Sequence, residues 1–193
     1  MANQAGYYRT AGTDLGSGAT IEGAASVPSD GGVIATVRIQ SDDDTGLYQF
    51  GYIKEGTNFT SDCGSHWVGY MAERKATNVT YYLCDVSAAT FGNSHHFSVK
   101  HIIGQGWEAV LDGNNNSPFD GPFGLGFGQG NAFASAEYNG TSPNSYVLTW
   151  GPSGGTKWQY ENSSGWYTVT SATPYNEGGW SIGALPSPFN ISR

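Results

Sequence analysis

Short runs rich in Val, Ile, Thr, Tyr, Phe and Trp recur along this chain, and Gly, Pro, Asn, Asp or Ser interrupts each within about ten residues, too soon for a helical period to build. The spacing predicts strands over 19–27, 33–40, 46–54, 65–73, 78–86, 95–103, 106–112, 131–138, 145–151, 156–160, 165–170 and 178–183. Asp30-Gly31-Gly32, Asp112-Gly113 and Asn139-Gly140 supply turn residues that tolerate positive φ or cap their own backbone. So many short strands predict an all-β fold, a two-sheet antiparallel β-sandwich of jelly-roll (concanavalin-like) type; an eight-stranded barrel fits the same spacing. The 193 residues are expected to form a single domain, 1–193, because all-β domains commonly reach this size.

Sixteen acidic against eight basic residues give a net charge of -8, which repels phosphate backbones and anionic membranes; nucleic acid and membrane are not expected partners. The same balance suits work in acid, where protonation of carboxylates brings the charge towards zero. No apolar run is long enough to cross a bilayer, and Met1-Ala2-Asn3-Gln4 does not open a signal peptide. The expectation is a secreted monomer whose leader is absent from this sequence. Cys63 and Cys84 flank a predicted strand-turn-strand, so a hairpin can bring them into one disulfide; two buried thiols are the alternative.

Several motifs resolve into turns or packing. Gly151-Pro152-Ser153-Gly154-Gly155 fits GxSxG, but a strand rather than a helix follows it, so a β-turn is expected instead of a nucleophile elbow. Gly126-Phe127-Gly128-Gln129-Gly130 opens no helix and cradles no phosphate. His95, His96 and His101 lack a suitably spaced fourth ligand, and Asp42-Asp43-Asp44 is a loop that solvates itself; neither a metal nor another cofactor is expected. The six tryptophans, at 67, 107, 150, 158, 166 and 180, are expected mainly as half-buried packing.

Two strands carry polar groups where a packed face should be apolar. Gln49 shares a face with Leu47, Gly51 and Ile53, and Glu137 shares one with Phe133 and Ser135. In order along the chain come Leu47-Tyr48-Gln49-Phe50-Gly51-Tyr52, a Cys-containing turn, His66-Trp67-Val68-Gly69-Tyr70-Met71-Ala72-Glu73, Phe97-Ser98-Val99 and Ala136-Glu137-Tyr138. That order, over roughly residues 33–140, resembles the eqolisin glutamic peptidases and their wider jelly-roll relatives, including the neprosin-like proteins.

The resemblance implies that Gln49 and Glu137 face each other across a concave sheet and act on a polypeptide. A glutamate, with an ordinary pKa near 4.3, takes a proton from water in mild acid and later returns one to the leaving amine, the role implied for Glu137. The amide of Gln49 would donate to the oxyanion of the tetrahedral intermediate. Trp67 and Tyr70 would line subsites, and Glu73 is the next carboxylate on the substrate-binding surface. The rival expectations are a non-catalytic carbohydrate-binding β-sandwich holding a polysaccharide, and a glycoside-active jelly roll pairing Glu137 with Glu73 or Glu108.

Overall fold

The structure is a computed structural model. It describes residues 3–193 apart from 24–26, 28, 57, 59, 62–63, 66–67, 77–78, 86–93, 114–126, 141–146 and 187, with strand pairing but no side-chain detail at residue 3 and between 60 and 85. The strands are, in order, β1 (Asn3–Tyr8), β2 (Gly16–Glu22), β3 (Gly32–Gln40), β4 (Leu47–Glu55), β5 (Thr60–Ser61), β6 (Gly64–Ser65), β7 (Val68–Ala76), β8 (Val79–Asp85) and β9 (Ser94–Ile102). The rest are β10 (Gly106–Leu111), β11 (Asn131–Asn139), β12 (Val147–Trp150), β13 (Gln159–Asn162), β14 (Gly165–Thr168), β15 (Thr173–Asn176), β16 (Ser181–Ile182) and β17 (Phe189–Ser192). Among the described residues no helix is long and apolar enough to cross a membrane.

Two antiparallel sheets form the expected sandwich. One has seven strands in the order β15-β1-β11-β3-β4-β7-β8; the other runs β10-β9-β2-β12-β17-β16, with β13 and β14 attached beside β2. Alternation explains the packing. From the seven-stranded sheet Ala5, Tyr7, Ala35, Val37, Ile39, Tyr48, Phe50, Tyr52, Ala134 and Ala136 face inward and are buried. Opposite them lie Ala19, Ile21, Phe97, Val99, Trp107, Ala109, Leu148, Trp150, Phe189 and Ile191.

Four tryptophans do serve as packing, and three have a visible partner for the indole N–H. Trp107 Nε1 donates to the Phe127 carbonyl (2.8 Å), Trp150 Nε1 to the Thr36 carbonyl (3.2 Å) and Trp158 Nε1 to Ser17 Oγ (3.1 Å). Trp180 is the fourth, 4% exposed. Trp166 explains why β2 begins earlier than expected: a Cβ on Gly16 would lie 2.9 Å from its ring and one on Gly18 3.2 Å, so this stretch of strand is glycine and carries little β signal.

The turns behave as their chemistry dictates. Asp43 Oδ1 accepts from Ser41 Oγ and from the Thr45 backbone and hydroxyl, so the aspartate run solvates its own loop. Gly151 adopts φ 67° and Gly155 N–H closes a turn onto the Pro152 carbonyl (2.8 Å). Four strands went unanticipated: β1, β15, β17 and the two-residue β5.

Candidate functional site

The outward face of the seven-stranded sheet is built in rows, because residues paired across antiparallel strands share a face. One row runs Tyr8, Phe133, Arg38, Gln49; the next runs Tyr175, Gly6, Ser135, Thr36, Gly51; the third runs Gln4, Glu137, Ile34, Ile53. Between β1 and β4 the middle row holds nothing larger than Thr. It therefore forms the floor of a trough crossing the strands, with Arg38 and Gln49 on one wall and Gln4 and Glu137 on the other.

Glycine at the floor is a packing requirement. A Cβ on Gly51 would lie 1.9 Å from the Ala35 carbonyl oxygen and one on Gly6 2.1 Å from that of Ala134. Neither position accepts an L side chain without backbone movement.

Hydrogen bonds tie floor to walls. Thr36 Oγ1 donates to Gln49 Oε1 (3.1 Å) and lies 2.9 Å from Ser135 Oγ. On the far wall Gln4 Nε2 donates to Glu137 Oε2 (3.0 Å), making Gln4 and Glu137 the amide and carboxylate in direct contact. Gln49 is buried at 6% exposure, while Glu137 is half-buried.

Gln49 and Glu137 thus share a face but do not touch. Glu137 is level with Ile53, four residues along β4 from Gln49, which is roughly 13 Å, and two strand spacings add about 10 Å across. The Thr36 and Ser135 hydroxyls fill the interval.

Tyr175, from β15, ends the trough. Burial pushes its phenol above the ordinary value of 10.0, with the Arg38 guanidinium and the Ser135 hydroxyl pulling the other way and the Glu137 carboxylate adding to the rise. Its Oη is sealed from solvent and makes no hydrogen bond of good geometry, although Ser135 lies close enough to favour the phenolate. Its ring joins Tyr8 and Phe133 (centroids 6.2 and 6.1 Å away), and the Arg38 guanidinium carbon sits 4.1 Å over Phe133.

The remaining expected residues divide. Glu73 pairs at backbone level with Gln49, and Cys84 with Met71 in the floor row. Tyr70 pairs at backbone level with Tyr52. Trp67 and Cys63 lie outside the described residues, and with Cys63 the proposed disulfide. Glu108 cannot pair with Glu137: it projects from the outer face of the other sheet, beside Trp107 and Ala109 that point inward, and its Oε2 lies 3.2 Å from Lys100 Nζ. His95 Nδ1 lies 2.7 Å from Asp112 Oδ2, and His101 packs on Trp107. Among the described residues no group of three metal-ligating side chains occurs.

No family model matches the sequence, and no curated protein matches it significantly. Solved structures do match the architecture. Scytalido-glutamic peptidase, bound to a peptide-based transition-state analog, superposes with a TM-score of 0.63 at 15% identity, covering 98% of this chain and 97% of that one. SCP-B, a member of the eqolisin family in complex with the tripeptide Ala-Ile-His, gives 0.58 at 16% identity, covering 99% and 96%. The fold is the eqolisin sandwich. At these identities the likeness is one of fold, and it falls on the eqolisin side of the sequence resemblance.

Proposed function

We propose that the chain is an exported hydrolase of polypeptides that works in acid, with the substrate lying extended in the trough. Glu137 takes a proton from the attacking water and later protonates the leaving amine. Gln49, from the opposite wall, donates its amide N–H to the oxyanion as the carbonyl becomes tetrahedral. Gln4 holds the Glu137 carboxyl in place. The chemistry calls for neither a metal nor a covalent intermediate. One observation carries this reading: an amide and a carboxylate share one outward sheet face, on rows either side of one whose residues Gly6, Ser135, Thr36 and Gly51 are all small. The offset between the two groups, roughly 13 Å along and about 10 Å across at backbone level, is one that both side chains must close to reach a single scissile carbonyl.

A second reading, a polypeptide-binding module without activity, is favoured by that same offset and by the engagement of Gln49 Oε1 with Thr36. Incubation with a denatured protein substrate from pH 3 to 7 separates them. The hydrolase is expected to cleave in the acid half of the range, to lose about 10²–10⁴-fold of its rate in Glu137→Gln and about 10²–10³-fold in Gln49→Ala. Cleavage that survives Glu137→Gln removes that residue's role; no cleavage at any pH, with retention on immobilised denatured protein, establishes the binding module.

A further inference from the structure

Arg38 is the anomaly of this face. Its side chain is 8% exposed, and its Nε is sealed from solvent with no hydrogen-bond acceptor among the described residues. Among the described residues no carboxylate pairs with it; Arg9, by contrast, is joined to Asp14 at 3.2 Å. A chain with twice as many acids as bases has ample means to neutralise a buried guanidinium, yet among the described residues this one rests against the Phe133 ring and near the Tyr175 phenol. Arginine is almost never buried unpaired, because the desolvation of its charge is otherwise uncompensated. Beside it lies the buried Tyr175 Oη, with the Ser135 hydroxyl close by. Ser135 and Thr36 add two hydroxyls. Glu137, on the other wall, is held by Gln4.

A buried guanidinium with no carboxylate partner among the described residues, beside a phenol and two hydroxyls, describes a receptor whose anion arrives with the ligand. We infer that Arg38 and Tyr175 form a recognition site for a carboxylate of the bound polypeptide, seated between the guanidinium and the phenol hydroxyl, in register with Gln49. The aromatic wall of Tyr8, Phe133 and Tyr175 packs against the aliphatic stem carrying that carboxylate. The guanidinium suits the task, since its planar fork binds a carboxylate through two parallel N–H donors. Both an acidic side chain and a free C-terminus supply this group, and the site does not require cleavage; it rests on the proposed function only in taking a polypeptide as the occupant.

The test uses three peptides of one length and sequence: blocked at both ends with a central Glu, blocked with Gln in its place, and the Gln peptide with a free C-terminal carboxylate. Dissociation constants are measured by calorimetry on the Glu137→Gln protein, so that no peptide is consumed, and cleavage is followed separately on the wild type. At least one carboxylate peptide is expected to bind about tenfold or more tightly than the blocked Gln peptide, and which one does so identifies the source of the carboxylate. In Arg38→Met that ratio collapses towards one, while the unfolding temperature of the free protein rises because an uncompensated charge has been replaced by an apolar side chain of similar length. Equal binding of all three peptides overturns the inference, as does discrimination that persists in Arg38→Met, or a fall in its unfolding temperature. Discrimination without cleavage by the wild type sinks the hydrolase and leaves this site standing; cleavage without discrimination does the reverse.

Discussion

At the scale of single residues, the cost of placing a charge inside the sandwich is written most clearly at Asp14. Its carboxylate is 1% exposed, accepts from Arg9 Nε at 3.2 Å and from the Ala132 backbone at 3.1 Å, and still titrates above the ordinary 3.8, because burial outweighs both partners. The native state thus binds the proton more tightly than the unfolded chain. Stability from this group is complete below about 3.8 and is lost as pH rises through the elevated native value. Asp14→Asn keeps an acceptor for Ala132 N–H and removes the titration. In thermal unfolding from pH 3 to 7, the variant is expected to lose less stability than the wild type as pH rises from about 4; parallel curves would mean that Asp14 is ionised at no net cost.

Elements were legible where alternation was strong and obscure where small residues carried the strand. β3 and β4 announce themselves by branched and aromatic side chains at alternate positions, and β11 by Ala alternating with Phe133, Ser135 and Glu137, so Gln49 and Glu137 could be recognised as polar intrusions. β1 reads Asn-Gln-Ala-Gly-Tyr-Tyr, inward through Ala5 and Tyr7 only, and β15 carries Pro174 at a sheet edge, where the ladder can spare an N–H. Missing those two strands meant missing Gln4 and Tyr175. The level of Glu137 relative to Gln49 was hidden for another reason: it depends on the register of β11 and β4 against β3, which no local pattern records. Glycine spacing holds part of that information, since Gly51 marks where β4 crowds β3. Gly51→Ala is expected to cost about 2 kcal/mol or more through collision with the Ala35 carbonyl. Gly104→Ala, at φ +78° with nothing within 4 Å, should cost about 1 kcal/mol from backbone strain alone. Urea unfolding of the two variants gives the comparison, and a Gly51→Ala penalty no greater than that of Gly104→Ala would refute the crowding.

Across the whole molecule, acid acts on stability through opposed groups. Asp14 and Glu161 both titrate above their ordinary values through burial, Glu161 despite Lys100, so each adds stability as pH falls towards 3.8 and 4.5 respectively. His96 works the other way. Burial lowers its imidazole below 6.5, only partly offset by Asp112, and its Nδ1 is sealed without a partner. A histidine that resists protonation in the native state contributes stability above about 6.5 and loses it as pH falls through the lowered native value. Between about pH 4 and 6 the imidazole therefore draws down what the two carboxyls supply. His96→Gln removes the titration while keeping a polar side chain beside Ser98 and Lys100, which line the same pocket on the outer face of the second sheet. Measured against pH, the unfolding temperature of this variant is expected to rise relative to the wild type on the acid side of about 6, with the gap widening until the native imidazole is fully protonated. A gap that stays constant from pH 7 to 4 would mean that His96 protonates as readily in the fold as outside it, and that the stabilising titration of Asp14 and Glu161 in acid runs unopposed by it.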